Sequence, residues 1–338
     1  MGIRFEFLRA GNGDCIWITT EEGVNILIDG GLANTYNREI KNRLKKVKKL
    51  DLVILTHYDN DHIGGILKLL ENEIKSLKSS GKTILREFWF NSFDKMLVNP
   101  PIYSNQTSAR QQIKFDDYIK ELIPFVEFKS KISIDIFSKM YLKDNYDIQF
   151  VLLSPNNQKL EELYNKYQKE TIDYKTSSKS DDYHISIEEL AQRDFQKDTS
   201  LTNGASIAFI MRYKKLQFLF LADAHIDLIV QELKRLGYSK ENRLKIEFVK
   251  LSHHGSSKNL NSDFLDLIDC NRFIISTNGG RHKHPNKETL AKILTHNKRV
   301  KDIEFIYNYE HTKNILTPSE KRKYRAIFSN KEVSYEYK

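Results

Sequence analysis

The chain has 338 residues, with 54 Lys and Arg against 45 Asp and Glu, a formal net charge of +9 and 40% hydrophobic side chains. That apolar share excludes a disordered chain, and 14 Gly with 6 Pro exclude a low-complexity one. Two cysteines, Cys15 and Cys270, exclude a disulfide framework and point to a reducing compartment.

Ile3–Leu8 alternates apolar and charged residues as a half-buried strand does, and Gly11–Asp14 is a turn by composition. Cys15–Thr19 and Val24–Ile28 form a hairpin pattern that ends at Asp29-Gly30-Gly31. A basic amphipathic helix is predicted over 37–49, with Ile40, Leu44 and Val47 on one face. A buried strand at Leu52–Leu55 runs into Thr56-His57, followed by a helix over 63–78 and a strand over 84–90. Residues 92–145 read as mostly irregular, with loops at Pro100-Pro101, 106–112 and 130–138. A strand at 148–153 and a helix at 159–169 precede a polar surface stretch over 170–200. A hairpin follows over 205–221, then a helix over 226–236 capped by Gly237. Strands at 246–251 and 272–276 alternate with helices at 261–268 and 287–296, and three strands close the chain at about 303–307, 324–329 and 332–337.

Nothing in the sequence separates domains, so one domain over 1–338 is expected, with an insertion at about 92–200. Two batches of strands with helices between them suit a layered α/β sandwich. Gly-x-Gly-x-x-Gly and phosphate-loop motifs are absent, which argues against nucleotide-dependent chemistry on those scaffolds. No secretory leader or apolar run near the ~20 residues that span a bilayer is present, so a soluble, cytoplasmic protein without membrane partners is expected. The charge gives modest support to a polyanionic partner, DNA or RNA.

The chemistry concentrates in Thr56-His57-Tyr58-Asp59-Asn60-Asp61-His62-Ile63-Gly64-Gly65, where four metal-capable side chains follow a buried strand. Imidazole with carboxylate suits zinc, manganese or iron, and two pairs invite two metals. Capping of the next helix by Asp59 or Asp61 would not require His at both ends.

This His-x-Asp-x-Asp-His-x-Gly-Gly loop resembles the signature of metallo-β-lactamase-fold hydrolases. It is the variant found in the soluble hydrolase domain of the competence protein ComEC and its stand-alone relatives. Gly11–Asp14, the strand ending in Asp29-Gly30-Gly31, Asn203–Ser206, Leu221-Ala222-Asp223, Ser252-His253-His254-Gly255-Ser256 and His284-Pro285 resemble further elements of that group, in order, from about residue 3 to 296. The resemblance implies a four-layer αββα sandwich with two divalent metals, zinc first and manganese as the alternative. It assigns Asp61, His62 and His253 to one metal, His57 and Asp59 to the other, and Asp223 as the bridge. His253 is preferred to His254 as the ligand, with His254 behind it or at the substrate. The family's usual further His has no counterpart except His184, in a polar stretch that reads as surface, so Asn203 or Ser206 could contribute instead.

The resemblance also implies a hydrolase in which a metal-bound hydroxide attacks phosphorus or a carbonyl carbon, with Asp61 orienting it. His284, in a basic loop with Arg281 and Lys283, would protonate or steady the leaving oxygen, with Ser256 and Asn203 nearby as supporting groups. His225, His282, His296 and His311 read as surface or internally satisfied. Three functions compete. A phosphodiesterase or nuclease is favoured by charge, by the basic helix, and by Tyr103, Phe115, Tyr118, Tyr141 and Tyr146 as base-stacking aromatics. A small-molecule phosphoester, lactone or thioester hydrolase is the alternative. A non-catalytic binding module on a worn scaffold is the third.

Overall fold

A computed structural model of the chain describes residues 2–91, 107–142, 147–169, 181–296, 302–330 and 332–335. In chain order its strands are β1 (Ile3–Phe7), β2 (Ile16–Thr20), β3 (Asn25–Ile28), β4 (Leu50–Ile54), β5 (Leu85–Trp89) and β6 (Glu127–Lys129). Then come β7 (Lys139–Tyr141), β8 (Ile148–Ser154), β9 (Ala208–Tyr213), β10 (Leu216–Phe220), β11 (Leu244–Lys245) and β12 (Phe248–Lys250). The last are β13 (Ile268–Asp269), β14 (Arg272–Ile275), β15 (Ile303–Tyr307), β16 (Ala326–Ser329) and β17 (Val333–Tyr335). One sheet is ordered β17-β1-β2-β3-β4-β5-β6, another β16-β15-β14-β12-β10-β9-β8-β7, and β11 with β13 make a short ribbon. The protein is therefore of the mixed α/β class that its sequence predicts. Contacts divide the chain into two compact units, each with one large sheet. The first is drawn from the described parts of Met1–Phe137, Asn156–Lys175 and Glu332–Lys338, and the second from those of Ser138–Pro155 and Thr176–Lys331.

In the first unit β1, β2 and β3 form an antiparallel meander, and β4, β5 and β6 continue it in parallel. Every residue of β4 is buried, as expected for a parallel strand covered on both faces. The helix Asn60–Ser80 follows and ends at Gly81, whose φ of +68° suits glycine at a left-handed cap. Its first turn lies against the chain leaving β3. A Cβ on Gly65 would stand 2.0 Å from the Gly30 carbonyl oxygen, and one on Gly30 would stand 2.4 Å from the Ile66 nitrogen. The glycines of the signature loop are thus an approach of helix backbone to strand end that no side chain fits.

Two expectations in this unit are corrected. The basic helix ends at Leu44 instead of Lys49, and a π turn at Tyr36–Ile40 interrupts it. Past Leu44 the run of lysines offers only half-buried Val47 to the core before β4 begins. Residues 107–122, read as largely irregular, form the helix Thr107–Leu122. Phe115, Ile119 and Leu122 are its buried face. Phe115 packs edge-on against Tyr58, Phe88 and Phe90, so it is a core residue and not a base-stacking surface aromatic. Tyr103 and Tyr146, with the Pro100-Pro101 loop, lie outside the described residues.

The second unit repeats the same strand grammar. Antiparallel β8, β9 and β10 lead into parallel β12, β14, β15 and β16. Its core gathers Val151, Ile210, Leu219, Ile229, Val249, Phe273 and Phe305. The described part of the polar stretch is not merely surface: Ser186 caps the helix Ile187–Ala191, and Ile187 and Leu190 enter the core. The strand expected from Tyr324 begins at Ala326. It is preceded by an unforeseen helix, Pro318–Tyr324, with a Thr317–Glu320 capping box and Pro at its first turn. Among the described residues, no helix is long and apolar enough to cross a membrane.

Candidate metal centre

In the first unit the chemistry gathers at the carboxyl ends of parallel strands, where open α/β sheets present ligands. The Asp29 side chain, just past β3, is buried. It accepts from the Thr56 amide at 2.8 Å and the Thr56 hydroxyl at 2.7 Å, and lies 2.8 Å from His62 Nδ1. Because the Thr56 proton goes to Asp29, the hydroxyl oxygen is left to accept from His57 Nδ1, 3.0 Å away. One carboxylate therefore orients both imidazoles, His62 directly and His57 through Thr56. Burial pushes the Asp29 carboxyl up, and His62 and Thr56 pull it part of the way back.

The two imidazoles then present Nε2, with ring centroids 4.1 Å apart. His57 Nε2 is 3.8 Å from Asp59 Oδ2. Asp59 occupies the N-cap position of the following helix, yet its side chain makes no capping hydrogen bond. Asp61, in the first helical turn, has its Oδ2 held by the Asn12 side chain at 2.6 Å. A Cβ on Gly13 would meet the Asp61 carbonyl at 1.6 Å, which is why the turn before Asp14 carries glycine there. The signature loop and the Gly11–Asp14 turn are one local structure.

In the second unit Asp223 follows β10 and the His253-His254 pair follows β12. Both imidazoles meet the same carboxylate: His253 Nε2 is 3.8 Å from Asp223 Oδ2, and His254 Nε2 is 3.9 Å from Asp223 Oδ1. His254 is buried, with Nδ1 3.0 Å from the Ser276 carbonyl oxygen at the end of β14. Both histidines have left-handed φ, 46° and 55°, a conformation that costs a non-glycine residue of order 1 kcal/mol or more. Asp223 does not cap the next helix, whose N-cap is His225. His225 is internally satisfied, with Nε2 2.8 Å from the Ser200 carbonyl oxygen. His184 is exposed.

The His284 loop is riveted to this turn. A Cβ on Gly255 would stand 2.6 Å from Pro285 Cβ, Asn286 N–H donates to the Gly255 carbonyl, and Asn286 Oδ1 accepts from Ser257 N–H. The His284 ring stands edge-on to His253, centroids 5.1 Å apart, and stacks with His282 at 5.9 Å. Burial, then the neighbouring His253, His254 and His282, hold its pKa well below the ordinary imidazole value. Arg281 and Lys283 are exposed on the same loop. Ser256 is a turn cap, accepting from Lys258 N–H, which gives it a structural task. Asn203 Nδ2 lies 3.3 Å from His253 Nδ1.

These donors fit divalent metal. Four imidazoles have Nδ1 tied to a carboxylate, hydroxyl, amide or carbonyl and Nε2 turned outward, the outer-shell arrangement of metal-binding histidines. Nitrogen-to-carboxylate separations of 3.8 to 3.9 Å exceed a hydrogen bond, yet fall inside the sum of two zinc–ligand bonds of about 2.0–2.2 Å each. Sequence reading did not single out Asp29, Asn12, Asp198, Asn259 or Ser276 as supporting groups. Asp29 and Asn12 stood in motifs already noted, whereas Asp198 and Asn259 carried no local signal.

Residues 8–80 match the model of the metallo-beta-lactamase superfamily. That segment spans the Asp29 turn and the whole signature loop. A metal-dependent hydrolase of Thermodesulfovibrio yellowstonii is 38% identical over 72 residues, 20% of this chain and 27% of that protein. The chain thus aligns with about a quarter of the curated relative it matches. Among solved structures, the metallo-β-lactamase fold protein YhfI of Bacillus subtilis is 9% identical with a TM-score of 0.43, covering 99% of this chain and 100% of that one. Zinc-bound PqqB of Methylobacterium extorquens is 9% identical with a TM-score of 0.44 over 99% and 100%. The short form of human tRNase Z is 10% identical with a TM-score of 0.40 over 100% of each chain.

Proposed function

We propose that this chain is a metal-dependent hydrolase of phosphodiesters, with nucleic acid, DNA or RNA, as its substrate class. The observation that carries the reading is the set of imidazoles locked at Nδ1 and offering Nε2 beside carboxylates. The proposed ligands are His57, Asp59, Asp61, His62, Asp223 and His253, with His254 on the same Asp223 carboxylate, and the proposed occupants are two divalent ions, zinc first and manganese as the alternative. When bound, such ions lower the pKa of a water and clamp the attacking and leaving oxygens of an in-line displacement.

The chain's own residues supply orientation and charge. Asp29 holds two imidazoles in one tautomer, and Asn12 holds Asp61. On this reading His284, braced against His253, would steady the leaving oxygen, and the exposed Arg281 and Lys283 would attract the phosphate. The +9 net charge supports a polyanion. Kinship to the stand-alone ComEC-type hydrolases and a cytoplasmic setting belong to the same proposal. The test is a cleavage panel of single-stranded DNA, duplex DNA, RNA and bis(p-nitrophenyl) phosphate, with zinc or manganese, at graded salt. Cleavage of a nucleic acid that rises steeply as salt falls is expected. Turnover of carboxylic or thioesters with no phosphodiester cleavage would overturn the substrate assignment.

A further inference from the structure

Asp198 comes from the stretch that reads as polar surface, but its side chain is only 9% exposed. Its amide donates to the Lys258 carbonyl, which pins it beside the turn carrying His253. Oδ1 accepts from Ser200 N–H at 2.9 Å. Oδ2 accepts from Asn203 Nδ2 at 2.7 Å and Asn259 Nδ2 at 3.2 Å, and faces His253 Nδ1 at 3.4 Å.

The surrounding amides decide which proton His253 carries. Asn259 Nδ2 is within reach of three acceptors, Asp198 Oδ2, the Asp223 carbonyl and the Ala224 carbonyl. That fixes which end of the amide is nitrogen, so Asn259 Oδ1 is the atom 3.3 Å from His253 Nδ1. Asn203 Nδ2, also 3.3 Å from Nδ1, spends its shorter bond on Asp198. Two acceptors therefore face Nδ1 and call for a proton on it, which leaves the Nε2 lone pair directed toward Asp223.

We propose, on the reading that His253 is a metal ligand, that Asp198 is its positioning residue: with Asn259 it holds the imidazole as the Nδ1–H tautomer and raises the basicity of Nε2. Asp198→Asn keeps the shape, removes the charge, and can turn an N–H toward Nδ1.

The test reads tautomer and metal separately. Nitrogen NMR of the imidazoles is recorded on the metal-free full chain at about pH 8, above the ordinary imidazole pKa. Zinc affinity is measured by competition with a chromophoric chelator. His253 as Nδ1–H in the unmodified protein is expected, and Asp198→Asn should populate the other tautomer and weaken one zinc equivalent about 10- to 100-fold. His253 found as Nε2–H in the unmodified protein would overturn the proposal, even if the variant does not fold. So would a folded variant with unchanged tautomer and unchanged zinc affinity. An Nδ1–H tautomer in a protein that takes up no zinc would instead overturn the metal reading and leave the positioning role standing.

Discussion

Replacing Asp29 with Ala removes one carboxylate on which three buried donors depend: the Thr56 amide, the Thr56 hydroxyl and His62 Nδ1. Asp29 is 1% exposed and His62 0%, so bulk water does not take over. Each orphaned donor costs about 1–3 kcal/mol, so simple addition gives about 3–9 kcal/mol. The hydroxyl can rotate toward His57, and the vacated space can admit a water, which places the expected loss near about 3–5 kcal/mol. That is a large part of the about 5–15 kcal/mol that holds a folded domain. Urea unfolding of the metal-free protein measures it, read as a lower midpoint at unchanged slope. Asp29→Asn separates stability from function. It keeps an acceptor for the Thr56 amide but can turn its N–H₂ toward His62 Nδ1, which moves the imidazole proton to Nε2. Stability should fall by only about 1–2 kcal/mol while zinc affinity drops at least about tenfold. An Ala variant within about 0.5 kcal/mol of the parent, or an Asn variant with unchanged zinc affinity, would refute the account of how these imidazoles are oriented.

Gly65→Ala drives a Cβ to 2.0 Å from the Gly30 carbonyl and should cost about 3 kcal/mol or more in thermal unfolding, whereas Gly81→Ala, in open space, should cost only about 1–2 kcal/mol for its left-handed φ. Glu320 is buried enough to raise its carboxyl, but the Lys287 ammonium at 2.7 Å and the Thr317 donors outweigh burial and hold it below its ordinary 4.5. Its contribution is therefore full above about pH 4.5 and lost as pH falls through the lower folded value; Glu320→Gln should be the less stable protein at neutral pH, and the gap should close in acid unfolding. Zinc at about 100 times its Kd should stabilise the protein by about 2.7 kcal/mol, seen as a raised unfolding midpoint that a chelator reverses.

Much of the fold was legible because its signals are local. The alternation of Ile3–Phe7, the apolar run before His57 and the amphipathic Ile226–Arg235 helix declare themselves within a few residues. The metal-capable loop was legible for the same reason. The helix Thr107–Leu122 was missed although Phe115, Ile119 and Leu122 keep helical spacing, because polar residues dilute its apolar face. The second rank of the site was harder to read. Asp29 acts on His62, 33 positions away, and Asp198 on His253, through hydrogen bonds that only the fold creates. The ranking of His253 over His254 had no basis in local pattern, and both meet Asp223 at nearly equal distance.

The most direct test is the metal content of the purified protein, measured by plasma mass spectrometry beside His57→Ala and Asp223→Ala. About two equivalents of transition metal in the unmodified protein, falling in each folded variant, is the predicted result. An unmodified protein that stays near zero after incubation with zinc and with manganese, or folded variants that keep full metal content, would contradict it.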